Sequence, residues 1–157
     1  MRLLPTGAAM LTACCCTAAA AATATLHFTS SQPAQPLVCA GERFRTTDSS
    51  LSAAHLQGEA WQTLQGLLRK TSQVSTEVPA GAPLTVALVA NLRQGSGVGA
   101  SRGRCTPTVQ WTPIAGAHYH LHLEAAGADC QLHVTFSEAD GAPEQPQPVQ
   151  PRPYRCP

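Results

Sequence analysis

The chain has 157 residues, of which only 12% are charged, and ten Lys and Arg against nine Asp and Glu leave a formal charge of +1. That length holds one domain of ordinary size with appendages, and so sparse and balanced a charge excludes the basic footprint of a nucleic-acid-binding protein. Thirteen prolines, twelve glycines and 4% aromatic residues describe a loop-rich fold with a modest core.

The N-terminus reads as an export signal. Arg2 supplies a positive start, residues 3–13 form a short apolar stretch, and Leu11, Thr12, Ala13 and Cys14 have the form of a bacterial lipobox. The expectation is a signal peptide over 1–13 and lipid attachment at Cys14. The alternative is cleavage after Ala22, Thr23 and Ala24, which releases a soluble periplasmic or secreted protein. Pro5, Gly7 and several threonines interrupt the apolar stretch too often for a membrane span. Residues 14–36 are expected to serve as anchor and flexible tether, because 17–35 are mostly Ala, Thr, Ser, Gln and Pro.

Residues 37–138 carry the pattern of a small antiparallel β-sandwich. A first strand is expected over 37–45. Within 46–73, Asp48 or Ser49 caps one possible short helix with Trp61, Leu64, Leu67 and Leu68 on its apolar face, although Gly58 and Gly66 weaken it. Residues 74–78 and 84–92 read as two strands joined across 79–83. The glycine spacing of 93–104 superficially suggests a phosphate cradle, but no helix follows it, so a loop is expected.

Residues 105–136 are the richest in pattern. Cys105, Val109 and Trp111 share one strand face, and Pro107, which lacks an N–H, marks an edge or a bulge. After the turn residues 112–116 comes a strict alternation that points Tyr119, Leu121 and Leu123 inward. A loop over 125–129 leads to a return strand over 130–136, making a three-strand meander. The expected register sets Leu123 opposite Cys130, Leu121 opposite Leu132 and Tyr119 opposite Val134. On the other face it sets His120 opposite His133 and His122 opposite Gln131, with His118 on the same side.

Four of the seven cysteines lie beyond the signal: Cys39, Cys105, Cys130 and Cys156. Of the three possible pairings, Cys105 with Cys130 and Cys39 with Cys156 is expected. The first pair lies at one end of the meander, although two strand spacings, about 9 to 10 Å, require its ends to curl together. The second pins a proline-rich tail, 139–157, back onto the body. No close C-x-x-C spacing argues for a metal, and disulfides imply an oxidising compartment.

Val78, Pro79, Ala80 and Gly81 before a strand, then Cys105, Trp111, Thr112, Pro113, Gly116, Tyr119 and Cys130, form a pattern that resembles small bacterial cell-envelope lipoproteins of uncharacterised function. The resemblance covers residues 74–136. It implies a sandwich fold and an envelope location, and it brings no catalytic residues. The outward histidines depart from that pattern.

The expected function is therefore that of an exported, lipid-anchored envelope protein with a structural or binding role, its partners being the membrane and another envelope protein. No cofactor is expected under this reading. The alternative is periplasmic binding of Zn or Cu by His118, His120, His122 and His133, since imidazole suits both ions and neighbouring strand positions reach one ion. Catalysis is not expected, because the chain has no nucleophile elbow, no paired carboxylates on a recognisable frame and no helical metal-binding motif.

Overall fold

The computed structural model describes residues 22–51, 70–94, 101–126 and 129–157. Cys14 and the helix expected around Trp61 to Leu68 lie outside them. Strand β1, Thr23–Ser30, opens the fold: Ala24, Leu26, Phe28 and Ser30 are buried, while Thr25, His27 and Thr29 turn outward. This corrects the tether expected up to residue 36. The average composition of 17–35 is polar, but a period-two apolar pattern within it is sufficient for a half-buried strand.

Strands β2, Ala34–Ala40, and β3, Arg43–Thr46, make a hairpin that turns through Gly41 at φ +68°, a left-handed conformation that glycine adopts without steric cost. Then follow β4 (Ser50–Leu51), β5 (Lys70–Thr71), β6 (Val74–Pro79), β7 (Leu84–Gln94), β8 (Ser101–Cys105) and β9 (Thr108–Trp111). The last four are β10 (His118–Ala126), β11 (Asp129–Ser137), β12 (Gln145–Pro146) and β13 (Gln150–Pro151). Among the described residues, one sheet has the order β12-β11-β10-β1-β6. The other runs β13-β9-β7-β2-β4-β5, with β3 also on β2 and β8 also on β7.

The two sheets pack as a sandwich. Leu26, Phe28, Tyr119, Leu121 and Leu123 of the first sheet share one core with Val86, Leu88, Ala90 and Trp111 of the second. At the centre of the first sheet β1 lies parallel to β10, so that sheet is mixed. No tight turn joins these two strands, and the parallel pairing therefore meets no connection constraint.

Among the described residues five links, 31–33, 72–73, 80–83, 112–117 and 147–149, carry the chain from one sheet to the other. The strands over 74–79 and 84–94 thus face each other across the core and do not form a hairpin, and 105–124 is not a meander. Alternation tells which side of a strand is buried but not which sheet it joins. The link 112–117 turns at Gly116 and is held by Tyr119, whose hydroxyl oxygen accepts from the Ile114 N–H at 3.0 Å.

This arrangement removes the distance problem at Cys105. Cys105 ends β8 in the second sheet and Cys130 lies in β11 of the first, so their disulfide joins the two layers directly, with Cα atoms 6.3 Å apart. Cys39 and Cys156 are joined with Cα atoms 5.7 Å apart. Strands β8 and β9 pair with the same side of β7 in one unbroken register, and the Leu88 N–H donates to the Pro107 carbonyl at 3.2 Å between them. Pro107 thus interrupts the ladder's hydrogen bonding without a bulge. Arg93 pairs with Arg102 in the same hairpin, so the expected loop over 93–104 is strand at both ends.

The β10–β11 hairpin is two residues out of the expected register. Leu123 faces Leu132, Leu121 faces Val134, Tyr119 faces Phe136 and His122 faces His133. An even shift leaves every side chain on its expected face. The strands extend to Ala126 and from Asp129, which adds the pairs Ala125 with Cys130 and Ala126 with Asp129.

The tail is more structured than a polyproline spacer. It pairs with β11 through β12, crosses to pair with β9 through β13, and closes the same edge of both sheets. It then runs over the outer face of the second sheet, where Tyr154 stacks on Phe44 at 4.9 Å and Cys156 reaches Cys39. Pro153, Arg155 and Pro157 line a small cavity there with Thr85 and Gln110. On that face Leu37, Thr85 and Ala87 are buried although they point away from the main core.

Candidate functional site: the histidine face of the first sheet

The outer face of the first sheet is built by rows of residues across four strands. One row is Thr135, His120, His27 and Ser75; the next is His133, His122 and Thr29; on the other side lie Ser137, His118, Thr25 and Glu77. The core dictates this grid. Leu26 and Phe28 are fully buried on β1, as are Tyr119, Leu121 and Leu123 on β10, so the histidines between them must point out. A slip of one residue in either strand would bury imidazoles and expose these apolar side chains.

His27 is the centre of the face, and the sequence reading missed it because it was assigned to the tether. The alternation of Ala24, Leu26 and Phe28 was the signal that placed it. Its Nε2 lies 3.2 Å from Nδ1 of His118, and its Nδ1 lies 2.8 Å from Ser75 Oγ and 3.2 Å from Gln73 Nε2. The His27 and His118 rings lie end to end and nearly parallel with centroids 5.5 Å apart, and the His27 ring stacks on His120 at 4.9 Å.

The other expected residues divide. His120 joins His27 and also has Nε2 3.8 Å from a Glu144 carboxylate oxygen. His122 is hydrogen-bonded through Nδ1 to Thr29 Oγ1 at 2.9 Å, and His133 lies 3.5 Å from Glu124. Although His122 and His133 are cross-strand partners, each is engaged elsewhere. The structure therefore gathers His27, His118 and His120, and leaves His122 and His133 apart from them.

Electrostatically, His27 is biased toward its neutral form. Burial, and then the neighbouring His120 and His118 imidazoles, hold His27 below the ordinary histidine range, while the Asp140 carboxylate acts in the opposite direction. Glu144, which accepts a hydrogen bond from Thr135 Oγ1 at 2.5 Å, stands at the rim. Among the described residues no three His, Cys, Asp or Glu side chains are already gathered at metal-holding spacing. Also among them, no helix is long and apolar enough to cross a membrane. No family model, curated protein or solved structure matches this chain.

Proposed function

We propose that this protein is an exported, non-catalytic domain of the bacterial cell envelope, lipid-anchored at Cys14, with a structural or binding role toward another envelope component. The observation that carries the reading is the position of β1, Thr23–Ser30. Cleavage after Ala24 would remove Thr23 and Ala24 from β1, a central strand in which Ala24 is buried and pairs with Val78. Processing at Cys14 leaves that strand whole. The two disulfides support an oxidising compartment, and the resemblance of residues 74–136 to small envelope lipoproteins agrees with it.

Cys14 is only nine positions before Thr23, the first residue of β1, and nine residues span at most about 30 Å. The body would sit close to the bilayer. Its membrane-facing end would include the link 112–117, where the Gly116 N–H donates to the Thr23 carbonyl at 2.8 Å and Ile114 is 60% exposed. That apolar side chain suits an interfacial position.

Metabolic labelling with an alkyne-tagged fatty acid, followed by mass analysis of the mature chain, tests the anchor. The expected result is label on the wild type, none on Cys14→Ala, and a mature N-terminus at Cys14. An unlabelled wild type, or a mature chain beginning after Ala24, overturns it.

A further inference from the structure

We propose that His27, His118 and His120 form a binding site for one late first-row divalent metal ion, zinc or copper(II). This rests on the geometry of the sheet and not on the anchor at Cys14. Two histidines two residues apart on β10 project from the same face, and β1 places a third directly beside His120 through the pairing His27 with His120. Three imidazoles from two adjacent strands match a three-nitrogen donor set of the kind zinc takes with a fourth position open, and copper(II) is equally suited to imidazole.

The register singles out these three, and one distance, between His27 and His118, suits a shared ion once both rings tilt so that their lone pairs converge. Two nitrogens on one tetrahedral zinc, each about 2.0 to 2.1 Å from the ion, stand roughly 3.3 Å apart. His27 Nε2 and His118 Nδ1 are 3.2 Å apart. The contact between them holds one shared proton, and an ion entering there needs both lone pairs. The proton then moves to the far nitrogen of its own ring. For His27 that is Nδ1, which can donate to Ser75 Oγ, 2.8 Å away. A hydrogen-bonded far nitrogen fixes the tautomer and aims the ring in metal sites generally.

His120 completes the set by rotating toward His27, whose ring it already stacks on at 4.9 Å. Its present contact with Glu144 is long, 3.8 Å, between side chains 39% and 50% exposed, and an exposed ion pair of that kind opposes the rotation only weakly. Glu144 remains beside His120, Asp140 faces His27, and both can neutralise part of the ion's charge. His122 and His133 stand apart, because the register places them on the neighbouring row with Thr29, to which His122 is hydrogen-bonded, and not on the row of His27 and His120.

The test is calorimetric titration of the mature full-length chain, carrying no histidine tag, with zinc and separately with copper(II) at pH 7.5. The expected result is one ion per chain at micromolar affinity or better with at least one of the two metals. His27→Gln, His118→Gln and His120→Gln should each weaken it at least tenfold, and His122→Gln and His133→Gln should change it less than twofold. Histidine side-chain NMR of the wild type under zinc gives a readout free of any folding defect in a variant: the ring nitrogens of His27, His118 and His120 should shift, and those of His133 should not. Affinity no better than millimolar for both metals, or equal dependence on His133 and His27, overturns the site.

Discussion

At the scale of single residues, the chemistry of this protein turns on His27. Its charged form is disfavoured in the folded state, first by burial and then by the imidazoles of His120 and His118, with the Asp140 carboxylate as the opposing influence. The sign follows by linkage. Above about pH 6.5 the ring is neutral whether the chain is folded or not, and it contributes no pH dependence. As pH falls below that value the unfolded chain takes up the proton first, so stability declines until the lower folded value is passed. In metal-free protein, kept so with a chelator, the denaturation midpoint should therefore fall between pH 7.5 and 5, and His27→Gln should make that decline shallower. An identical slope in the variant would show that other groups carry the effect. The side chains that shift this residue, lowering it from β10 and raising it from the loop after β11, come from distant parts of the chain, so no local pattern announces them.

At the scale of elements, β1 is the test of how strands are read. Its three apolar positions, Ala24, Leu26 and Phe28, alternate without a break, but they sit among alanines and threonines that make the region look like a linker. A tether would tolerate Phe28→Ala. A core strand would not: truncating a fully buried phenylalanine typically costs about 3 to 5 kcal/mol, measurable by urea denaturation, and an unchanged midpoint would contradict the burial of Phe28 at 0% exposure. The β10–β11 hairpin is the opposite case. Both strands and both faces are legible from alternation, yet the register is not, because shifts of two residues are equivalent in pattern and the length of the turn decides between them. Here the pairing continues as far as Ala126 with Asp129, and His133 faces His122 in place of the expected His120.

At the scale of the whole molecule, two crosslinks act on different parts of the architecture. Cys105 and Cys130 join the two sheets over a separation of 25 residues, and Cys39 and Cys156 hold the tail across the second sheet over 117. The chain-entropy relation gives roughly 3.5 kcal/mol for the shorter closure and roughly 5 kcal/mol for the longer. Replacing Cys39 and Cys156 together by serine should accordingly lower stability more than replacing Cys105 and Cys130. It should also speed proteolysis of residues 152–157, because the tail would then be held only by β12, β13 and side-chain contacts such as Tyr154 on Phe44. Equal protease resistance with and without the crosslink would mean that the strand pairing alone holds the tail.

The sequence by itself determined that this is a β-sandwich with Tyr119, Leu121 and Leu123 inside and that the β10 histidines face outward, and it narrowed the four cysteines to three pairings, of which the expected one, Cys39 with Cys156 and Cys105 with Cys130, is formed. Each of these depends on period-two alternation, on turn residues or on the small number of possible pairings, all of which are properties of short stretches. Only the tertiary structure decided which strands share a sheet, that β1 belongs to the core, that the tail closes an edge, and that His27 stands beside His118 and His120. Those facts depend on residues from 9 to more than 90 positions apart meeting around a common core, and the free energy that selects such partners is non-directional burial, which leaves no mark of partner identity in either segment alone.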